Sequence, residues 1–398
     1  MSGRNRWVGF YVPGAPASMT PIGNVESLTG AKCSVVCYYQ SVKEAFPGTR
    51  AQAVIDHGSV PLVTLEFWDS EKGSDQPEYS LKAIANGSQD DRLREHAKQA
   101  KAFGQTVWLR PLHEMNGDWD YPWSGNLNGN TPTDFVPAWR HVRDIFTQEG
   151  AANVKFVWCP NAESVPFPTA DNHNAISTYW PGSDYVDYVA LDGYNAGNTS
   201  SVSSWRDFSA VFGAAYGQVK GYGKPILLGE VSSVEQGGDK ALWIRDMFAA
   251  IPRDYPKIVG VCWFDAQRIQ DWRVESSSAS LQAFRAGISD GVYSGTKPVL
   301  TKTSVSIRAT RPVTTRRRGA ELSGRIGPGQ RGDHVSVYVK RPGSSAWKLA
   351  STRFASADAA WSIRLPTTRR GAYYCQARYK GDPTRAASTS RAVRILVR

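Results

Sequence analysis

The sequence predicts a (β/α)8 barrel followed by a small all-β, immunoglobulin-like sandwich. Three observations carry this expectation. Eight short apolar runs alternate with helix-like stretches over the first 290 residues. Each run is nearly continuous rather than alternating, the pattern of parallel strands buried on both faces. Beyond about residue 298 the composition shifts to Arg, Ser and Thr. Weakly alternating runs there are separated by turn residues such as Gly327-Pro328-Gly329 and Pro342-Gly343.

In order, the barrel strands are expected to begin at Trp7, Ser34, Val60, Thr106, Val154, Tyr188, Pro225 and Ile258. Between them, Asp90 to Phe103 starts acidic and ends basic, matching the helix dipole, with Gly104 as its stop. Thr133-Asp134 opens a second helix that Gly150 closes, and Trp205–Val219, Asp239–Ala250 and Ser280–Ile288 complete the set. An open doubly wound sheet is the competing arrangement, but no Gly-rich phosphate loop follows any strand. Domain limits follow at 1–291 for the barrel, 292–297 for a linker and 298–398 for the sandwich. The latter is expected to hold seven strands, starting with SVSIRA and ending with RAVRILVR.

Charge divides along the same line. From Leu300 onward there are 21 Lys+Arg against 4 Asp+Glu, a net of +17, which leaves −6 on the barrel from a total of +11. One reading is an accessory domain that binds an anionic cell-envelope polymer; the other is a coding bias toward Arg, since 17 of the 21 are Arg. Five scattered cysteines make no disulfide framework and leave at least one thiol free. No Cys/His cluster has metal-ligand spacing, so neither a metal nor a cofactor is expected. No run is long enough to span a membrane. Met1-Ser2-Gly3-Arg4 leads straight into a strand without a leader, yet the chemistry below points outside the cell or to its surface. A monomer is expected.

In a barrel of this kind the site is built at the C-terminal ends of the strands. Those ends supply Glu66 and Trp68 from the third, His113 and Glu114 from the fourth, and Asn161 beyond the fifth. The sixth gives Asp192 and Tyr194, the seventh Glu230, and the eighth Trp263 and Asp265. Two glutamates on strands four and seven face one another across a ring of carboxylates and aromatics. That pairing suits glycoside hydrolysis, in which one carboxylic acid protonates the leaving oxygen and a second carboxylate attacks the anomeric carbon. Trp119, Tyr121 and Trp123, just after Glu114, would offer flat surfaces to the CH faces of sugars. By contrast His96, on a polar helix, reads as solvated, and Trp347 and Trp361 read as sandwich core or sugar platforms.

The run RPLHEMNGDW, with GE closing the seventh strand and WF the eighth, resembles glycoside hydrolase family 26, a group of retaining β-glycanases, over roughly Trp7 to Ile288. Most of its clan places Asn before the acid/base; this family has His, as here at His113. The resemblance implies Glu114 as acid/base, Glu230 as nucleophile, and Tyr194 as hydrogen-bond partner of the nucleophile. It also implies Arg110 beneath the carboxylates, and Trp119, Trp123 and Trp263 as sugar platforms. Mannanases of the family commonly read W-F-W-W-G after the acid/base, whereas this chain reads Trp119-Asp120-Tyr121-Pro122-Trp123-Ser124-Gly125. That form, with Ala85–Ser88 and the GGDKALWIRD and DWRVESS segments, looks more like the mixed-linkage β-glucanase branch. The expected function is therefore endo-hydrolysis of β-1,4 linkages in a hexose polysaccharide, mixed-linkage β-glucan ahead of β-mannan. A carbohydrate-binding or envelope-adhesion protein on a barrel scaffold is the alternative.

Overall fold

A computed structural model describes residues 6–289, 291–293, 302–329, 332–381, 385 and 387–398. The chain divides into two compact units, 1–297 and 298–398. Most of the expected linker, from residue 294 on, lies outside the described residues.

In the first unit, strands β1 (Trp7–Tyr11), β2 (Val35–Ser41), β3 (Val60–Glu66), β4 (Val107–Pro111), β5 (Val154–Trp158), β6 (Tyr188–Asn195), β7 (Ile226–Ser233) and β8 (Ile258–Phe264) close in sequence order into a parallel barrel. Each starts within one residue of its expected position. Around them run α1 (Thr20–Thr29), α2 (Gly48–Asp56), α3 (Leu81–Ala85), α4 (Asp90–Phe103), α5 (Phe135–Glu149), α6 (Phe208–Val219), α7 (Lys240–Asp254) and α8 (Ser278–Ile288). Local chemistry sets their ends: Asp207, Asp239 and Ser277 accept from backbone amides at the starts of α6, α7 and α8, and left-handed Gly104 and Gly150 stop α4 and α5.

Two cores result from strand alternation. The larger lies between strands and helices. The smaller fills the barrel and is layered. At its base Trp7, Trp108 and Tyr188 pack ring against ring, with centroids 5.1 and 4.4 Å apart. Above them Cys37, Cys159 and Cys262 contribute only small side chains, which leaves volume for a long buried one overhead. That side chain is Arg110. His96, expected in solvent, is instead buried: the loop after β2 packs over α4, and the His96 ring bonds the Glu44 carbonyl at 2.7 Å.

The second unit is all-β. Strands β9 (Ser304–Val305), β10 (Arg308–Ala309), β11 (Val313–Thr314), β12 (Ala320–Gly327), β13 (His334–Lys340), β14 (Lys348–Phe354), β15 (Ala360–Leu365), β16 (Gly371–Tyr379), β17 (Ser388–Thr389) and β18 (Val393–Val397) form two sheets. One runs β10-β12-β15 with β9 on β12; the other runs β11-β18-β16-β13-β14 with β17 on β16. All seven expected runs appear as strands, the first split into β9 and β10. Alternate residues such as Val335, Val337, Ile363 and Ile395 bury into one core, and Trp361 joins them. Arg316, Arg317 and Arg318 lie exposed in a turn.

Candidate active site

The site begins where β4 ends. Beyond Pro111 the backbone enters the left-handed region at Leu112 and again at Glu114, with φ of 50° and 51°. Non-glycine residues rarely adopt this conformation, and here surrounding contacts hold it in place. The Glu114 amide donates to the Cys159 carbonyl at 2.8 Å, and Asn161 Nδ2 donates to Glu114 Oε1 at 2.9 Å. Asn161 is fixed in turn by Asn116, whose side chain bonds both its amide and its carbonyl. Glu114 is buried, and that burial, reinforced by the negative Asp192 and Glu230, raises its carboxyl well above the usual range; Asn161 and Arg110 pull the other way.

Across the mouth, Glu230 meets a different environment. A register shift in β6 between Leu191 and Asp192 sets Asp192 opposite Glu230 on β7. Arg110, fully buried, reaches up between them. Its Nη1 donates to both Asp192 oxygens at 2.9 and 2.7 Å, its Nη2 lies 2.5 Å from Glu230 Oε1, and Nε and Nη2 also donate to Thr64 Oγ1. Tyr39 Oη donates to the same Glu230 oxygen at 2.5 Å and Tyr194 Oη donates to the other. Gly229 makes this fit possible: a Cβ there would lie 2.5 Å from Asp192 Oδ1 and 3.0 Å from Arg110 Nη1. Glu114, Asp192 and Glu230 each offer an oxygen within 4.8 Å of the others. Such a trio could take a cation, but Arg110 already places a positive charge among them.

The remaining expected residues divide. Arg110 and Asp192 are wholly buried, so they act on a ligand only through Glu230 and present no surface to it. For Asp192, expected among the groups at the mouth, this is a correction; Arg110 lies beneath the carboxylates. Asn161 turns its side chain to Glu114. His113 sits at the floor of the mouth among Tyr39, Tyr121 and Trp123; burial and the Arg110 charge hold its imidazole well below the usual range, and its Nδ1 has no hydrogen-bond partner among the described residues. Glu66 and Trp68 are half-buried at the end of β3, where burial pushes Glu66 up to about 7.

Three aromatic and acidic assignments need correction. Trp123 is buried, stacked under Tyr121 with centroids 4.6 Å apart, and donates to the His113 carbonyl; Tyr121 holds the half-exposed face instead. Trp263 is buried in the outer core against Trp243 and Phe284. Alternation turns the next residue, Phe264, into the barrel, where it stacks on Tyr11 at 4.6 Å and meets Tyr194 edge-on. Asp265 accepts from the Val274 amide at 2.7 Å and so pins the loop after β8, which carries half-buried Trp272 against Tyr194. Trp119 stays exposed, at 41%, on the loop after Glu114. Sequence reasoning missed Tyr39, Thr64 and Asn116. The first two project from β2 and β3, and Tyr39 could have been found by extending the strand-end reading to β2.

Two buried carboxylates face each other over the mouth of a closed (β/α)8 barrel, one beside an amide and the other above a guanidinium and bonded by two phenols. These features define the class of barrel glycosidases. A family model described as glycosyl hydrolase family 26 matches residues 64–223, which include Arg110, Glu114, Asp192 and Tyr194. Endoglucanase H of Acetivibrio thermocellus is 37% identical over 289 residues, 71% of this chain. A mannan endo-1,4-β-mannosidase of Bacillus subtilis strain 168 is 29% identical over 183 residues, covering 44% of this chain and 43% of that one. The chain spans 30% of the length of endoglucanase H. Among solved structures, a family 26 β-mannanase from Bacteroides ovatus superposes with a TM-score of 0.53 at 15% identity, over 73% of this chain and 90% of that one. The chain belongs to glycoside hydrolase family 26.

Proposed function

We propose that this chain is an endo-acting, retaining β-glycanase that cleaves β-1,4 linkages in a hexose polysaccharide. The observation that carries the reading is the approach of Glu114 and Glu230, with carboxylate oxygens within 4.8 Å. A direct attack by one carboxylate needs a carboxyl separation of about 5–5.5 Å, whereas activating an intervening water needs ~6.5–9.5 Å. The unequal environments divide the roles. Glu114, raised by burial, holds its proton near neutrality and gives it to the leaving glycosidic oxygen. Glu230, surrounded by donors from Arg110, Tyr39 and Tyr194, attacks the anomeric carbon as that bond breaks, forming a glycosyl ester. Glu114, now ionised, takes a proton from water; the water oxygen attacks the same carbon and returns Glu230 as carboxylate.

Mixed-linkage β-glucan is favoured over β-mannan. The similarity to endoglucanase H covers 71% of this chain, against 44% or less for the mannan-degrading relatives. The second unit is read as an immunoglobulin-like accessory module whose charge of +17 holds the enzyme near an anionic envelope polymer outside the cell.

The test is reducing-end release from mixed-linkage β-glucan, β-mannan and xylan, with the anomer of the first product followed by NMR. The β anomer is expected first, and Glu230→Ala should abolish turnover, with azide restoring part of it as the α-glycosyl azide. Release of the α anomer by the unmodified enzyme would overturn the retaining assignment, and inactivity on every glycan would overturn the enzyme. Activity on mannan alone would reverse the substrate order.

A further inference from the structure

The second unit contains a pocket of about 670 Å³ where β10, β12 and β15 meet the residues that follow β14. Its lining is one-sided in its chemistry. Arg308 and Arg325 bring guanidinium groups, Ser306, Ser323, Ser356 and Ser362 bring hydroxyls, and no carboxylate belongs to the lining. Trp361 forms part of the wall, and its Nε1, though buried, has no hydrogen-bond partner among the described residues.

The two arginines differ. Arg325 Nη2 is taken by Asp358 at 2.6 Å, an exposed pair that neutralises it. Arg308 donates its Nε to Ser323 Oγ at 3.1 Å, which orients the group, and it makes no ion pair among the described residues. A fixed guanidinium with its fork uncommitted suits a planar or tetrahedral oxyanion. Phe354, 67% exposed at the end of β14, adds a ring to the same wall, where its edge contact with His334 holds it. An aromatic face beside an oxyanion fork and several hydroxyls fits a sugar that carries a negative group better than a bare ion. Gly324 lets the backbone of Ser306 approach at this wall: a Cβ there would lie 1.9 Å from the Ser306 carbonyl oxygen and 2.7 Å from the Trp361 ring.

We infer that this pocket binds an acidic sugar unit of a polysaccharide, with Arg308 on its oxyanion, the serine hydroxyls on its own hydroxyls and Phe354 against the pyranose face. The inference rests on the reading of the second unit as an anion-binding module but replaces a diffuse charge effect by one site. The oxyanion is a carboxylate or a phosphate, and the two are distinguished by the probes below.

The experiment uses the full chain and measures its binding, by affinity electrophoresis and calorimetry, to polygalacturonate, to a phosphomannan, to duplex DNA and to neutral mixed-linkage β-glucan as control. Arg308→Ala should weaken binding to the preferred acidic polymer by about tenfold or more, the loss of one hydrogen-bonded charge contact. Phe354→Ala removes an exposed ring of the wall; it should weaken the same binding several-fold while leaving the melting temperature nearly unchanged. Arg369→Ala with Arg370→Ala, which are not among the pocket-lining residues, should leave it within about twofold, since exposed charges act mainly through a screened field. Equal losses from both arginine sets would overturn the pocket and keep the diffuse reading. Binding of nucleic acid in preference to both acidic polymers, or no binding of any polyanion, would overturn both. Hydrolysis of soluble neutral glucan should be the same in all variants, so a failure there belongs to the barrel and leaves the pocket to be judged by binding.

Discussion

Arg110 Nη2 stands 2.5 Å from Glu230 Oε1, and the two side chains are 0% and 5% exposed. Because the same guanidinium also neutralises Asp192, one cation balances two buried carboxylates. Arg110→Met should therefore cost about 3–5 kcal/mol of stability, the penalty for leaving buried charge uncompensated. Thermal and urea unfolding check this. A melting temperature within 2–3 °C of the parent, roughly the effect of less than 1 kcal/mol, would show that the carboxylates neutralise themselves without it.

Asn161 donates to Glu114 Oε1 and so favours the ionised carboxyl. In the proposed role of acid Glu114 must be protonated, so activity should be lost as pH rises through its raised value. Asn161→Ala removes a group that lowers that value; the basic limb of kcat/KM should move to higher pH. A shift to lower pH would contradict the assignment. The same sign holds for folding. A carboxyl raised in the folded state contributes stability that is complete below its unfolded value and is lost as pH rises through the folded one.

Tyr39 gives Glu230 a second phenol beside Tyr194. Tyr39→Phe keeps the ring against Tyr11 and deletes one hydrogen bond to Glu230, the proposed nucleophile, for an expected loss of about tenfold or more in kcat/KM. Accumulation of the glycosyl ester, read by intact mass after denaturation, should change with it. Full activity would show Tyr194 and Arg110 to be sufficient.

Phe264 and Trp263 are adjacent yet face opposite sides of β8. Phe264→Ala should raise KM on oligosaccharides with little change in melting temperature. Trp263→Ala should instead destabilise the fold by about 3–5 kcal/mol through its buried cavity. Kinetics and unfolding on both variants separate the two, and a reversal would mean the parity is wrong.

That pair also shows what was legible in the sequence. The barrel strands could be read because runs buried on both faces leave an unbroken apolar signal, and Glu114 and Glu230 because they end such runs. The same unbroken signal hides parity. With both faces apolar, nothing in WF says which ring enters the barrel, and the larger ring was the wrong choice. Trp123 misled for a related reason: an indole in a polar loop looks available until Tyr121 is seen stacked over it. Asn116 left no pattern, because it acts by bonding a backbone segment 45 residues away. His96 looked solvated on a polar helix because the loop that covers it belongs to another unit of the barrel.

Gly229 has a practical meaning for anyone who would redesign this enzyme. With no room for even a methyl group beside Asp192 and Arg110, its codon is closed to mutagenesis libraries: each replacement would push on the charge balance under Glu230. Variation that retargets the catalyst has to come from the loops above, where the exposed Trp119 stands clear of the carboxylates.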